Sequence, residues 1–406
     1  MVRVLPVLAA IAVAAVILAP AGIAATASDS PSVAQVSTPD GSVVLPAQLW
    51  AGSTAHSDRI MAHTDVGVSV DAASTATDAR LFELTLQQRL ADAETNSERR
   101  VVLSDESDRL REAIGSLLER EQAAYQAYAA GEIDAQTLVR RLTRTAVAAD
   151  RYHESLEVLS GEIESTPRMT MPESLIVASA EVQALQAPVL NQLAAVARGD
   201  RAASPVRVSV NGDRLRVAMI DRDEQRFLAD TYDWGHWQRG IEQPPGFDTV
   251  EDVASRFANA YPWIGSEVRS IEELQPSQVG AYEVGAVRSH AQVTVWFDSR
   301  TEEVYLEHQQ LDLQTLPTQT VTTERGTSIQ LRVARTDTGG PALIETTNRS
   351  SDTPINASIR LDDTVVGTTG VDGRLWVLPP SDASTVTATT GAEQLNATAT
   401  WEATAG

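Results

Sequence analysis

The spacing of apolar residues changes close to residue 200 of this chain, and no other sequence feature constrains the fold as strongly. Between Asp78 and Arg198 the apolar positions recur every three or four residues, which is the period of an amphipathic helix. From Ala202 onward apolar and polar residues alternate, which is the period of a half-buried strand. The sequence therefore predicts a helical region followed by antiparallel β modules.

The helical region, residues 78–200, contains two long segments that flank the sequence "AAGEID". The second segment begins at Asp134, and its apolar seam alternates steps of four and three residues: Leu138, Leu142, Thr145, Ala149, Tyr152, Leu156, Leu159 and Ile163. The seam of the first segment follows the same rule: Leu110, Ile114, Leu117, Glu121, Ala124 and Tyr128. This spacing predicts an antiparallel, coiled-coil-like helical hairpin, and it equally permits a homodimer through this region.

Two further helices, near Asp78 to Ala93 and near Pro172 to Arg198 with a kink at Pro188, complete the predicted bundle. Glu121 is the one charged residue in either seam. It is either a buried functional carboxylate or a side chain that reaches water at the edge of the seam, and we expect the second arrangement.

The next module, residues 201–316, opens with the hairpin pattern "VRVSVNGDRLRVAMID", in which Asn211 and Gly212 lie in the turn. After an aromatic stretch, Asp248 or Thr249 caps a helix that ends before Pro262. The strands "AYEVGAV", "AQVTVWFD" and "EVYLEH" follow. These elements predict a small α+β domain with an antiparallel sheet.

The helix and the strand pair joined by "WFDSRTEEVYLEH" resemble the PepSY family of small secreted modules, which occur beside protease pro-regions and on cell envelopes. Members of that family usually carry Thr-Gly at the turn, where this sequence has Thr301 and Glu302. The resemblance implies a binding or regulatory module without catalytic residues of its own.

The last module, residues 317–406, is rich in threonine, and its short alternating segments at regular spacing predict a β-sandwich. Its run "DDTVVGTTGVDGRLWVLPP" resembles the carboxypeptidase regulatory-like and related immunoglobulin-like folds. The positions that carry the resemblance are Gly367, Thr369, Asp372 and Gly373. We expect Gly373 to adopt a turn conformation that other residues avoid. Such a fold does not specify a function.

The charge composition is unusual, with 55 acidic against 32 basic residues, a net charge of -23 and no lysine. Such a surface keeps a protein hydrated in concentrated salt, where the Debye length is only about 3 Å at 1 M. The same charge disfavours nucleic acids and anionic membranes as partners. This composition and the order of the modules resemble haloarchaeal secreted proteins made of domains of unknown function, a resemblance that transfers no catalytic residue.

The N-terminus indicates export. Arg3, an apolar run from Val7 to Ala19 and the small residues Ala25 to Ala27 form the pattern of a signal peptide over residues 1–27. Residues 28–77 have the composition of a partly disordered linker. We expect an extracellular or envelope-associated protein, which contacts the membrane only if the N-terminal segment stays uncleaved.

The aromatic stretch "TYDWGHWQRG" is the candidate binding site. It contains Tyr232, Asp233, Trp234, His236, Trp237 and Arg239 in a chain that is only 5% aromatic. The rings either complete a small core or form a stacking platform for a sugar or a peptide, with the charged residues as polar contacts. Packing is the simpler expectation.

The sequence contains no cysteine and no recognisable nucleophile, zinc-protease or phosphate-binding motif. Three glycosylation sequons lie in the last module, at Asn348, Asn356 and Asn396. We therefore expect a non-catalytic envelope protein that binds protein or glycan partners and needs no metal or cofactor. The alternative is a secreted hydrolase or protease regulator with a site near Tyr232 to Gly240.

Overall fold

A computed structural model describes residues 55–236, 247, 249–261, 268–274, 281–336, 339–380, 383–391 and 393–401. The expected signal peptide, most of the expected linker, and the site residues Trp237 and Arg239 lie outside these residues. The described part combines helices with antiparallel sheets and ends in a β-rich region.

The described part of the N-terminal region contains five helices: α1 Val66–Asp92, α2 Asn96–Ala129, α3 Ala135–Ser165, α4 Glu173–Leu185 and α5 Pro188–Arg198. Helix α3 begins after Asp134, whose side chain accepts a hydrogen bond from the Thr137 N–H at 2.7 Å. Where the sequence suggests one kinked helix, the chain forms two, because Pro188 lacks an N–H and starts α5.

Part of the expected linker has regular secondary structure. Strand β1, His56–Ala62, and the first turns of α1 both lie within the expected linker. Asp65 caps α1 by accepting a hydrogen bond from the Val68 N–H at 3.2 Å. The first turn of α1 contains valine and glycine, which are weak helix formers, so packing of the buried Val68 stabilises it instead.

Helices α2 and α3 pack against each other along two cores. The last turns of α2, with Tyr125 and Tyr128, share a core with Leu138 and Leu142 of α3. The earlier part of α2, with Leu110, and the later part of α3 share a second core. The C-terminal half of α2 is thereby held next to the sheet that follows.

Eight strands form one antiparallel sheet in the order β1-β2-β3-β4-β8-β7-β6-β5. The strands after β1 are β2 Ser204–Asn211, β3 Arg214–Asp221, β4 Arg226–Asp233, β5 Val268–Leu274, β6 Ala281–Val287, β7 Ala291–Asp298 and β8 Val304–Asp312, with helix α6, Val250–Ala260, between β4 and β5. The sheet thus includes a strand from the N-terminal region.

Strand β4 differs from the sequence expectation, which places Tyr232 in a connector between the hairpin and the helix. Tyr232 and Asp233 instead end a strand that lies between β3 and β8. Nearly every residue of β4 is buried because both faces of the sheet are covered. The strand therefore lacks the alternation of apolar and polar residues that marks a half-exposed strand.

The two faces of the sheet pack against different parts of the chain. Val208 and Val217 on one face share a core with Leu142 and Leu193 of the helices. The opposite face is covered in part by α6, through Phe257. Another part of it packs against Leu378 and Trp376 of the last module. The helical region and the sheet therefore share one of these cores.

The last module consists of two four-stranded antiparallel sheets, β14-β11-β10-β9 and β13-β12-β15-β16. Its strands are β9 Gln319–Arg325, β10 Ile329–Arg335, β11 Ala342–Asn348, β12 Ser358–Leu361, β13 Thr364–Thr368, β14 Arg374–Val377, β15 Ser384–Thr389 and β16 Gln394–Ala399. Apolar residues of both sheets meet in one core, as in a β-sandwich.

Candidate functional site

The candidate site lies where β4 ends and the chain leaves the sheet. Tyr232 pairs with Leu215 of β3 and with Leu306 of β8, so its backbone is fixed on both sides. The Trp234 N–H donates a hydrogen bond to the Asp213 carbonyl at 3.1 Å. This bond holds Trp234 next to the turn between β2 and β3. The central position of β4 therefore holds Tyr232 and Trp234 against the helices.

Helix α2 contributes a third ring to this site. The rings of Tyr125 and Tyr232 are 4.7 Å apart between centroids, and Tyr125 lies nearly parallel to Trp234 at 6.3 Å. Tyr125 and Tyr232 are buried and Trp234 is partly buried against the same core. The three rings thus come from two regions that are about 100 residues apart in sequence.

Glu121 lies one turn before Tyr125 on α2 and is only 5% exposed. The expectation that its side chain reaches water is therefore wrong. The Tyr125 hydroxyl donates a hydrogen bond to Glu121 Oε1 at 2.5 Å, which satisfies part of the hydrogen-bonding capacity of the buried carboxylate. The sequence alternative of a buried carboxylate is the arrangement found.

These groups line a pocket of about 110 Å³ between α2, the end of α4 and the sheet. Its wall is mainly aromatic and aliphatic, with Tyr305 and Leu306 of β8 facing Leu118 and Leu185 of the helices. Glu121 and Asp233 also line it. The result is an apolar cavity with carboxylates in its wall.

The electrostatics of the site favour neutral tyrosines. Burial raises the pKa of Tyr125 well above its ordinary value, and the Glu121 charge raises it further. Burial and the charges of Glu121 and Asp230 do the same to the pKa of Tyr232. Both phenols remain protonated at neutral pH and can donate hydrogen bonds.

Asp233 organises the turn at the edge of the pocket. Its carboxylate accepts a hydrogen bond from Arg214 Nε at 2.7 Å, and His236 Nδ1 lies 2.8 Å from the same oxygen. The Gly235 N–H donates to the other oxygen at 3.1 Å. Of the predicted site residues, Tyr232, Asp233 and Trp234 line the pocket, whereas His236 lies close to Asp233 but is not one of the lining residues.

Sequence reasoning did not connect Glu121, Tyr125 and Tyr305 with this site. The charged residue in an otherwise apolar seam was the available signal for Glu121, because a buried glutamate is rare unless it has a partner. Nothing in the spacing indicated that α2 would meet the end of β4. That contact depends on how the helices pack on the sheet.

The three sequons lie in the β-sandwich. Asn396 is exposed on β16, and Asn356 is exposed with its side-chain oxygen accepting a hydrogen bond from the Gly370 N–H. Asn348 is half-buried at the end of β11, and its side-chain oxygen accepts hydrogen bonds from the Ser350 N–H and hydroxyl. The three asparagines therefore differ in accessibility.

Comparison with known families divides the chain into three parts. A family model described as a domain of unknown function, DUF7096, matches residues 1–202, and a family of unknown function, DUF7094, matches residues 206–317. An archaeal fibronectin-III type-like domain matches residues 320–397. The chain thus carries domains of unknown function followed by an immunoglobulin-like β-sandwich.

The pocket combines residues from the first two matched ranges, because Glu121 and Tyr125 belong to the first and Tyr232 and Trp234 to the second. No curated protein and no solved structure matches the chain. Within the described ranges, no helix has the length and apolar composition needed to cross a bilayer.

Proposed function

We propose that this chain is an exported, non-catalytic binding protein of a haloarchaeal cell envelope, and that the pocket lined by Glu121, Tyr125, Tyr232 and Trp234 recognises its partner. The acidic, lysine-free composition and the apolar N-terminal segment support the cellular setting. The archaeal description of the matched C-terminal domain agrees with it.

One observation carries the proposed binding role: three aromatic rings and a buried carboxylate come together from separate elements around an open apolar cavity. Ring faces attract cations, with about 0.5–1 kcal/mol at exposed sites and about 2 kcal/mol or more where the cation is desolvated. The Glu121 carboxylate adds a direct charge interaction. The chemistry therefore suits a group with an apolar body and a positive end.

The size of the pocket limits what can enter it. Sites for drug-sized molecules have volumes of about 300–1,000 Å³, whereas this one has about 110 Å³. It accommodates one side chain or head group of a larger partner. An arginine, lysine or alkylammonium group on a protein partner at the envelope fits these requirements.

The test is calorimetric titration at high salt with choline and with its uncharged tert-butyl isostere. Choline should bind, and the isostere should bind more weakly. Glu121→Gln should lower the affinity for choline about tenfold, which is about 1.4 kcal/mol. Trp234→Leu should lower the affinity for both probes. The matched control, Trp376→Leu, changes a tryptophan outside the pocket and should change neither affinity.

Absence of saturable choline binding, or equal affinities of wild type and Glu121→Gln for choline, contradicts this assignment of the pocket. Thermal unfolding of each variant checks that the fold is retained. Salt screens surface charges but acts less on a buried pair, so binding that survives high salt locates the interaction in the cavity.

One contact favours a hydrolase or a protease regulator as the second candidate. His236 Nδ1 lies 2.8 Å from Asp233 Oδ2 at the edge of the pocket, and a carboxylate beside a histidine is a pair of groups that general-base catalysis uses. Peptide and ester substrates test this candidate. Turnover that His236→Ala abolishes without unfolding the protein would support it and contradict the non-catalytic role.

A further inference from the structure

A second concavity lies on the helix-facing side of the sheet, over strands β6, β7 and β8. It has a volume of about 210 Å³ and shares no lining residue with the aromatic pocket. Its lining includes Gln183 and Gln186, at the end of α4, and Gln292 and Gln310, on β7 and β8.

The strand pattern explains why this wall is polar. Along β7, Val293 and Val295 pack into the core beneath α6, so the alternate residues Gln292 and Thr294 face the concavity. On β2 and β3 the same face of the sheet is apolar and covered by helices. A helix packed on this face would need apolar residues, so helix packing does not explain why β7 and β8 carry polar residues here.

Among the described residues, Trp296 Nε1 and His308 Nε2 are buried polar atoms of this wall that find no hydrogen-bond partner. Trp296 is 3% exposed and His308 is 6% exposed, and their rings meet edge to face with centroids 4.5 Å apart. Burial lowers the pKa of His308 to about 3, so the imidazole is neutral at neutral pH. Buried polar groups in native proteins normally have a partner.

We propose that this concavity binds one uncharged, hydroxylated ring, namely a single sugar unit, through Trp296, His308 and the surrounding carboxamides. Carboxamides, the indole N–H and a neutral imidazole supply both donors and acceptors, as neighbouring hydroxyl groups require. Among the described lining residues, Glu283 is the one carboxylate, which can accept hydrogen bonds from hydroxyl groups, and no arginine is present, so anions are not favoured.

The volume agrees with a ligand of this size. Water takes about 30 Å³ per molecule in the liquid, and the concavity of about 210 Å³ holds several such volumes. Drug-sized ligands need about 300 Å³ or more. A free monosaccharide and the terminal unit of a glycan share their ring hydroxyl groups and differ at the anomeric carbon, where the glycan is linked.

The experiment follows the indole N–H signals by nitrogen–proton correlation spectroscopy at high salt, with the Trp296 signal assigned from Trp296→Phe. Glucose, mannose and galactose are titrated as free sugars, and disaccharides ending in each represent a linked unit. A saturable shift of the Trp296 signal is expected with at least one sugar. The free and linked forms then distinguish a soluble sugar from a glycan as the source.

Gln292 is exposed and Gln310 half-buried, so Gln292→Ala with Gln310→Ala should leave the fold intact and weaken binding about tenfold or more. Gln314→Ala, at an exposed glutamine outside the concavity, is the matched control and should not change the affinity. Trp234→Leu should also leave sugar binding unchanged, which separates this site from the aromatic pocket.

The proposal is overturned if no free or linked sugar shifts the Trp296 signal at concentrations on the order of 10 mM. It is also overturned if the shift persists with unchanged affinity in the double glutamine variant. Loss of choline binding at the aromatic pocket has no bearing on either outcome.

Discussion

The Tyr125 hydroxyl donates a hydrogen bond at 2.5 Å to Oε1 of Glu121, one helical turn earlier on α2, and both residues are buried beside the sheet. A buried carboxylate is tolerated when hydrogen bonds satisfy it. This pair therefore links the stability of the helical region to the geometry of the candidate pocket.

Tyr125→Phe tests the stabilising role of this hydrogen bond. The variant keeps the ring but removes the donor, and leaving a buried acceptor without its donor costs about 1–3 kcal/mol. Chemical denaturation at high salt should show a loss of this size. Tyr152→Phe, at a half-buried tyrosine of α3, is the control and should change the free energy of unfolding by less than about 0.5 kcal/mol. Equal stability of Tyr125→Phe and wild type would show that the hydrogen bond contributes nothing measurable.

The buried carboxyl group of Asp230 should make the free energy of unfolding depend on pH. Its Oδ2 accepts a hydrogen bond from the Val189 N–H at 2.9 Å at the start of α5, and the side chain is completely buried. Burial raises the pKa of Asp230 well above its ordinary value of 3.8, although the N–H groups of Val189 and Leu190 oppose the shift. An acid with a raised folded pKa stabilises the fold fully below its unfolded pKa and loses that contribution as pH rises through the folded pKa.

Asn cannot ionise, so Asp230→Asn should gain stability relative to wild type as the pH is raised from about 4 to about 8. Urea denaturation of both proteins at several pH values in this interval measures the difference. Asp363→Asn, at a fully exposed aspartate, should show no such trend. A difference for Asp230→Asn that stays constant with pH would contradict the raised pKa.

The backbone conformation and surroundings of position 373 should require glycine. Its φ is 69°, and a Cβ atom there would lie 2.6 Å from the Thr346 carbonyl oxygen. Gly373→Ala should therefore destabilise the β-sandwich by about 1–3 kcal/mol, since both the backbone conformation and the contact are unfavourable. Gly391→Ala is the matched control, because its added Cβ would have no described atom within 4 Å apart from those of Gly391 itself and its chain neighbours. Thermal unfolding compares the two, and similar transition temperatures would refute the prediction.

The sequence predicted helices and strands well where apolar and polar residues follow a simple period. The seam of α3 from Leu138 to Ile163 and the hairpin around Gly212 follow simple periods, and both elements form. Strand β4 was missed because its apolar and polar residues do not alternate, and β1 because a single short strand has little pattern of its own. Both owe their structure to pairing with distant strands.

The candidate site was predicted in part. Tyr232, Asp233 and Trp234 stood out because aromatic residues are scarce in this chain. Glu121 and Tyr125 meet them only because α2 packs on the helix-facing side of the sheet. Sequence periodicity determines which face of a helix is buried, but it does not determine which strand that face contacts.

The sequons give a prediction that depends on export. If glycans are added after folding, Asn396 should be modified most completely because its side chain is exposed on β16. Asn348 should be modified least, since its side-chain oxygen already accepts hydrogen bonds from Ser350. Mass spectrometry of peptides from the protein purified from its native envelope measures the occupancy. Asn396 without a glycan, in a protein shown to be exported, would contradict this prediction.

The hydrogen bonds accepted by the Glu393 carboxylate should make the stability of the β-sandwich sensitive to acid. Its carboxylate, just before β16, accepts hydrogen bonds from the N–H groups of Thr327, Ser328 and Ile329 and from the Ser328 hydroxyl. The side-chain and backbone hydrogen bonds of Ser328, followed by those of its neighbours, lower the pKa of Glu393 to about 2. A depressed folded pKa contributes stability above the unfolded pKa, and this contribution is lost as pH falls through the folded pKa.

Glu393→Gln should therefore unfold at a lower temperature than wild type at neutral pH, because a neutral amide accepts these hydrogen bonds more weakly. The difference should shrink between the ordinary glutamate pKa of 4.5 and about 2, where the wild-type carboxylate becomes protonated. Scanning calorimetry across this interval measures the two transitions. Glu324→Gln, at an exposed glutamate of β9, is the control and should unfold at the same temperature as wild type at each pH. A Glu393→Gln deficit of constant size down to about pH 2 would mean that the amide disturbs the turn by its shape rather than by its missing charge.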